Sequence, residues 1–230
     1  MKRPLIGIVG RVESPGGTHK IIINEALRRS IVKHGGNPIC LLLPQDVDYT
    51  MLKNSETPDL TEEEKEMILE QAKLCDGFLF PGGFKIIKPE RAIMNYALEN
   101  NKPILGICLG LQFLGTYGDE REQFLNESNS VQGINHCAED LEYVHYVTLD
   151  KNSKLYQIIG NDRFMVNSRH KYHLIPSNNY NVVGLSDDNI VEAIEFRDKR
   201  FAIGVQWHPE DLNDEQSKRL FEAFINEAKK

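Results

Sequence analysis

A chain of 230 residues, 40% of them apolar, suits one large α/β unit with a sizeable core. Its formal net charge of −7 offers no nucleic-acid or anionic-membrane surface, and no stretch approaches membrane-spanning length. The four cysteines show no C-x-x-C pairing, which fits reduced thiols in a cytoplasmic protein better than a disulfide framework.

In chain order, Leu5 to Val9 reads as a first strand closed by Gly10, and the apolar run after Met1-Lys2-Arg3 is too short for a signal peptide. Arg11 to His19 contains Pro15-Gly16-Gly17 and is expected to be a loop. Ile21 to His34 has apolar residues at helical spacing, with Gly35-Gly36-Asn37 as a stop signal. Pro38 to Leu43 reads as a second buried strand, so the opening is a βαβ unit and predicts a parallel sheet with a right-handed crossover. After a polar, turn-rich stretch, Thr61 to Glu64 fits a capping box at the head of a helix reaching about Leu74. Gly77 to Phe80 is a strand ending in Pro81-Gly82-Gly83. Pro89 to Asn101 is a helix with proline at its start. The strand Ile104 to Ile107 then runs into Gly106-Ile107-Cys108-Leu109-Gly110.

The second half differs. Asp119 to Asp140 is polar and weakly periodic, and is expected to be a surface excursion or lid. Glu142 to Leu149 alternates like an antiparallel strand, and Asn152 to Ile159 is a short helix. Arg163 to Asn167, Asn181 to Leu185, Val191 to Phe196 and Phe201 to Gln206 are further strands, the last three forming a meander. Asn213 to Lys230 is an amphipathic helix with Leu220, Phe221, Phe224 and Ile225 on one face. The pattern predicts a single α/β domain over 1–230, an open mixed sheet with flanking helices and antiparallel strands in the C-terminal half.

Gly106 to Gly110 is a cysteine version of the G-x-S-x-G nucleophile elbow, in which a strand turns sharply into a helix and exposes the central side chain between small neighbours. At the start of a helix, unpaired N–H groups favour a Cys108 thiolate. By itself the pentapeptide is equally a buried cysteine in a core strand. A nucleophile needs a base and an orienter. Of seven histidines, His208 follows a strand directly in Gly204-Val205-Gln206-Trp207-His208-Pro209-Glu210. Extended geometry would turn Glu210 to the same side, where it can bind one ring nitrogen of His208 and leave the other for Cys108. Pro81-Gly82-Gly83 lies at the carboxyl end of a strand, where open α/β sheets build their sites. An oxyanion hole drawn from the residue after the nucleophile and a neighbouring loop would use the N–H groups of Leu109 and Gly83.

Together, Pro81-Gly82-Gly83, Gly106 to Gln112 and Gly204 to Glu210 occur in the order seen in class I glutamine amidotransferase domains, a flavodoxin-like fold. The set most resembles the peptidase C26 branch of γ-glutamyl hydrolases that includes γ-glutamyl-γ-aminobutyrate hydrolase. Asn24 to Pro44 and Val166-Asn167-Ser168-Arg169-His170 also resemble that branch, so the likeness covers nearly the whole chain. The resemblance implies a Cys108–His208–Glu210 triad that cleaves a γ-glutamyl amide through a thioester, with the oxyanion on Gly83 and Leu109. It also implies a substrate site drawn from Gly82, Gln112, Ser168, Arg169 and His170. No cofactor or metal is implied.

Some positions depart from the branch. Leu109 stands where an arginine is usual, Phe84-Lys85 follows Pro-Gly-Gly in place of an aspartate, and Lys171 replaces a glutamine. These changes fall on the pocket rim and leave the leaving group open. The expected partner is a small γ-glutamyl substrate, with no nucleic acid and no membrane; a homodimer is compatible with the sequence. A second reading is a glutaminase subunit that delivers ammonia to a synthase partner. A silent binding protein would have no need of all three triad residues, and the deglycase or chaperone relatives of the superfamily normally lack the terminal His-Pro-Glu. His136-Cys137 with Asp140 offers metal donors, but no second His/Cys cluster in the sequence completes a site. There is no P-loop and no G-x-G-x-x-G.

Overall fold

The computed structural model describes residues 2–14, 17–53, 56–85, 87–118, 126–127 (backbone) and 133–230. In chain order the elements are β1 Leu5–Val9, β2 Arg11–Glu13, β3 Lys20–Ile22, α1 Glu25–Lys33, β4 Asn37–Leu41, α2 Glu62–Lys73, β5 Gly77–Phe80, α3 Glu90–Glu99, β6 Ile104–Ile107 and α4 Leu109–Leu114. There follow β7 Asn126–Glu127, β8 His145–Leu149, α5 Lys154–Ile159, β9 Arg163–Val166, β10 Tyr172–His173, β11 Asn181–Ser186, β12 Val191–Glu195, β13 Ala202–Val205 and α6 Glu215–Ala228.

One nine-stranded sheet, ordered β4-β1-β5-β6-β13-β12-β11-β8-β9, runs through the molecule. The strands from β4 to β13 pair in parallel; β12, β11, β8 and β9 continue the sheet antiparallel. The mixed α/β architecture expected from the sequence is therefore present, including the β11-β12-β13 meander. Successive residues of the central strands point to opposite faces, so each strand feeds two cores. On one face Ile6, Ile8, Leu105 and Ile107 pack with Leu27 and Ile31 of α1 and Phe221, Phe224 and Ile225 of α6. On the other, Phe78, Phe80 and Ile104 pack with Ile68 of α2, Ile93 and Met94 of α3 and Phe113 of α4. Among the described residues no helix is long and apolar enough to cross a membrane.

Two local expectations need correction. The stretch read as a loop over Arg11 to His19 begins with β2, which pairs antiparallel with β3. Consequently α1 does not start at Ile21: Ile21 and Ile22 belong to β3, and Asn24 caps the helix by accepting from the Ala26 N–H at 2.9 Å. The Thr61 capping box forms as expected, with Glu64 N–H donating to Thr61 Oγ1 at 3.2 Å and Thr61 N–H donating to Glu64 Oε2 at 2.8 Å. The suggested lid over Asp119 to Asp140 lies largely outside the described residues. A short pairing between β7 and β10 was not anticipated.

Candidate active site

The carboxyl ends of β5, β6 and β13 lie side by side, since β6 pairs with both of the others. Each is followed at once by one of the candidate site segments, so the crevice forms where parallel sheets place their ligands.

Cys108 follows β6 with φ 53° and ψ −107°, a positive φ that non-glycine residues rarely adopt. Its N–H donates to Val205 O at 2.8 Å, and its carbonyl accepts from the Gln112 N–H at 3.1 Å, so strand and helix both hold the turn. The flanking glycines are dictated by contact. A Cβ on Gly110 would lie 1.9 Å from Phe80 O, and one on Gly106 would lie 2.6 Å from Gly110 O. Leu109 is the first residue of α4, so its N–H has no partner one turn back in the helix.

His208 stands beside Cys108, with both side chains flanking Gly82: a Cβ there would meet His208 Cε1 at 2.8 Å and Cys108 Cβ at 3.4 Å. His208 Nδ1 is 2.9 Å from Glu210 Oε1, and the Glu210 side chain is buried. The route differs from the extended one expected. Pro209–Asp211 forms a single 3-10 turn, which curls the carboxylate back onto the ring. Burial disfavours the imidazolium, but the Glu210 charge, the Cys108 charge and hydrogen bonds to both outweigh it, so the His208 pKa stands well above the ordinary histidine value. Asn167 fixes the backbone of the same residue: the His208 N–H donates to its Oδ1 at 2.7 Å, and its Nδ2 donates to His208 O at 2.9 Å.

The Pro81-Gly82-Gly83 segment is held from behind by Arg11. Its guanidinium donates from Nη2 to Pro81 O at 2.7 Å, from Nε to Gly82 O at 3.2 Å, and from Nη1 to both Glu90 oxygens at 2.7 and 2.6 Å. Both side chains are buried. With its carbonyls engaged on one side, the loop can present N–H groups to the other. Neither the Arg11–Glu90 pair nor the Asn167 clamp was assigned from sequence. Arg11 and Glu90 are 79 positions apart and leave no pattern; Asn167 lies in Val166–His170, where an asparagine by itself does not reveal a clamp on a residue 41 positions away.

Cys108, His208, Glu210, Gly82, Gly83 and Arg169 line one cavity of about 300 Å³, which also exposes Glu13, Glu139 and the rim residue Phe84. Arg169 is also paired with Asp211, which lies outside that cavity. The structure does not bring Gln112, Ser168 and His170 to this cavity. Gln112 is buried, with Nε2 donating to Tyr172 O at 2.8 Å and Gln206 Oε1 at 3.2 Å. Ser168 Oγ donates to His136 O at 3.1 Å. His170 is buried among other histidines, and burial pushes its pKa down to about 4. These positions are the ones the family resemblance implies; along 168–170, Arg169 lines the cavity while Ser168 and His170 do not.

Among the described residues two groups place metal-type donor atoms within 4.8 Å of one another: His208 with Glu210 and Asp211, and His136 with His145, His170 and Glu192. In the first, His208 Nδ1 is already engaged by Glu210.

The model of the peptidase C26 family matches residues 87–210. A Schizosaccharomyces pombe protein named as a glutamine amidotransferase, PB2B2.05, is 30% identical over 213 residues, covering 87% of this chain and 80% of that one. The CTP synthase of Lactobacillus helveticus is 30% identical over 74% of this chain, but the match spans only 36% of that longer protein. Among solved structures, the glutaminase domain of Trypanosoma brucei CTPS with bound acivicin matches with a TM-score of 0.66 at 19% identity, covering 98% of this chain and 94% of that one, a likeness of fold.

Proposed function

The chain belongs to the peptidase C26 family and is a glutamine-amidotransferase-like C–N hydrolase, and within that class we propose that it cleaves a γ-glutamyl amide through a thioester on Cys108. The supporting observation is that a cysteine held at positive φ and a histidine already bound to a carboxylate line the same cavity. Cys108 Sγ adds to the γ-carbonyl carbon. The carbonyl oxygen takes up the negative charge facing the N–H groups of Gly83 and Leu109. His208 gives its proton to the leaving nitrogen as the C–N bond breaks, and the acyl group stays on sulfur. Water, deprotonated by His208, then adds to the thioester; the C–S bond breaks, glutamate leaves and the thiolate returns. Glu210 keeps Nδ1 occupied throughout, so Nε2 serves the reaction. We take residues 1–230 to act as one domain in this.

Arg169 with Glu13 and Glu139 gives the cavity both signs of charge, as an α-amino acid end requires. Phe84, 91% exposed at the rim, faces the leaving-group side. The test is a panel of γ-glutamyl amides, including glutamine, γ-glutamyl-γ-aminobutyrate and a chromogenic anilide. Amine release by wild type and none by C108A is expected; equal rates in both would overturn the triad.

The likeness to CTP synthases supports a second reading, in which ammonia released from glutamine passes to a synthase activity lying outside these residues. Activity confined to glutamine, and raised by a co-purifying partner, would favour it over the stand-alone hydrolase.

A further inference from the structure

We infer that His136, His145, His170 and Glu192 form a closed, four-coordinate site for a divalent transition metal of the zinc type, apart from the cavity that holds Cys108. His145 Nε2 and His170 Nε2 each lie 3.4 Å from Glu192 Oε1, and His136 Nδ1 lies 3.7 Å from it. Tetrahedral zinc with bonds of about 2.0–2.1 Å separates its ligand atoms by roughly 3.4 Å; the distances to Glu192 Oε1 are close to that, and all four donor atoms lie within 4.8 Å of one another. All four side chains are buried, at most 4% exposed.

The hydrogen bonds fix which ring nitrogens face inward. His145 Nδ1 is 3.1 Å from Tyr146 O, and His170 Nδ1 is 3.1 Å from Tyr172 O. A carbonyl only accepts, so both Nδ1 atoms carry the proton and both Nε2 atoms present lone pairs to the Glu192 carboxylate. His136 Nε2 is 3.0 Å from Asp188 Oδ2, and its Nδ1 lies 3.1 Å from Ser168 Oγ and 3.7 Å from Glu192 Oε1, so an ion at this centre would take Nδ1 from the Ser168 hydroxyl. Each histidine thus has its outer nitrogen bound to an oxygen, the arrangement that orients metal-binding imidazoles.

Without an ion this centre sets acceptors against one another. Among the described residues, His145 Nε2 and both Glu192 oxygens have no hydrogen-bond partner although buried. Such groups are costly unless a water or ion is present. A single proton on Glu192 could serve one imidazole; a divalent cation engages all four donor atoms together and balances the charges of Glu192 and Asp188. Four protein ligands leave no open position, so the ion is structural, and nitrogen with carboxylate oxygen suits zinc better than magnesium or calcium. It would pin the start of β8, the second residue of β12 and the segment after β9. That segment contains Asn167, whose side chain clamps His208.

The test uses full-length C108A, in which the proposed nucleophile no longer offers a sulfur ligand. The protein is stripped with a chelator and titrated with Zn²⁺ against a chromophoric competitor. One equivalent is expected, with a rise in melting temperature. H208A in the same background should keep that equivalent, H145A and E192Q should lose it, and D188N should bind on the order of 10–100-fold more weakly. Co²⁺ substitution of C108A, which needs no second variant to fold, should give the visible bands of a tetrahedral site. Absence of stoichiometric binding, octahedral Co²⁺ bands, binding that survives E192Q, or binding lost in H208A would each overturn the site.

Discussion

Asn167 grips the main chain of His208 at both ends, accepting from its N–H at 2.7 Å and donating to its carbonyl at 2.9 Å. The side chain of one strand's exit thereby sets the position of a ring on another. N167A removes two partly buried hydrogen bonds, each worth about 0.5–1.5 kcal/mol. We expect kcat to fall more than KM rises, together with a lower melting temperature. Unchanged kcat in N167A would show that the ring is positioned by other means.

Glu210 is the main source of the raised His208 pKa, working against burial. A raised pKa keeps the imidazolium present below that value and loses it as pH rises through it. The alkaline limb of kcat/KM should therefore lie well above pH 6.5, the ordinary histidine value. E210Q removes the charge that raises it, so the limb moves to lower pH, and kcat falls on the order of 10²- to 10⁴-fold. A pH–rate profile measured on both proteins checks the direction.

The cysteines should separate by reactivity. Burial pushes the Cys75 thiol up to about 11, helped by the neighbouring Asp76 charge. Burial also raises Cys40 and Cys137. Near neutral pH these three are protonated and slow to react. A glutamine-analogue alkylator should modify Cys108 first, read by peptide mass spectrometry, and H208A should remove that preference.

Arg11 and Glu90 form a buried pair that also carries the Pro81 and Gly82 carbonyls. R11M strands the Glu90 carboxyl and should cost about 3–5 kcal/mol in urea unfolding. R11M/E90L should regain most of that stability, because an apolar pair of similar volume replaces buried charge. Activity should not return with it, since the loop bearing Gly83 has lost its anchor. Recovery of both would separate Arg11 from the site.

Much of this architecture is written locally. Gly77–Phe80 and Ile104–Ile107 are uninterrupted apolar runs bounded by turn residues, and their limits agree with β5 and β6 to the residue. The elbow is legible because close backbone contact demands glycine at Gly106 and Gly110. What escaped is non-local or too short for a pattern. β2 and β3 have three residues each and gain their identity from pairing with each other. The histidine group joins positions 136, 145, 170 and 192, whose spacing matches no ligand motif; only the antiparallel half of the sheet gathers them. Gln112 and His170, placed at the substrate by the family resemblance, are buried and do not line the cavity.

The adjacency of β6 and β13 bears on how the chain acquires its chemistry. Cys108 and His208 are far apart in sequence, and the turn at Cys108 is tied to Val205 through its own N–H. Contacts of such separation form late, because loop closure must be met before they contribute. A chain with only its first four parallel strands in place therefore has no His208 beside Cys108. On the proposed chemistry, the thiol meets its base only once β13 pairs with β6, so sheet assembly and the arming of Cys108 depend on the same pairing.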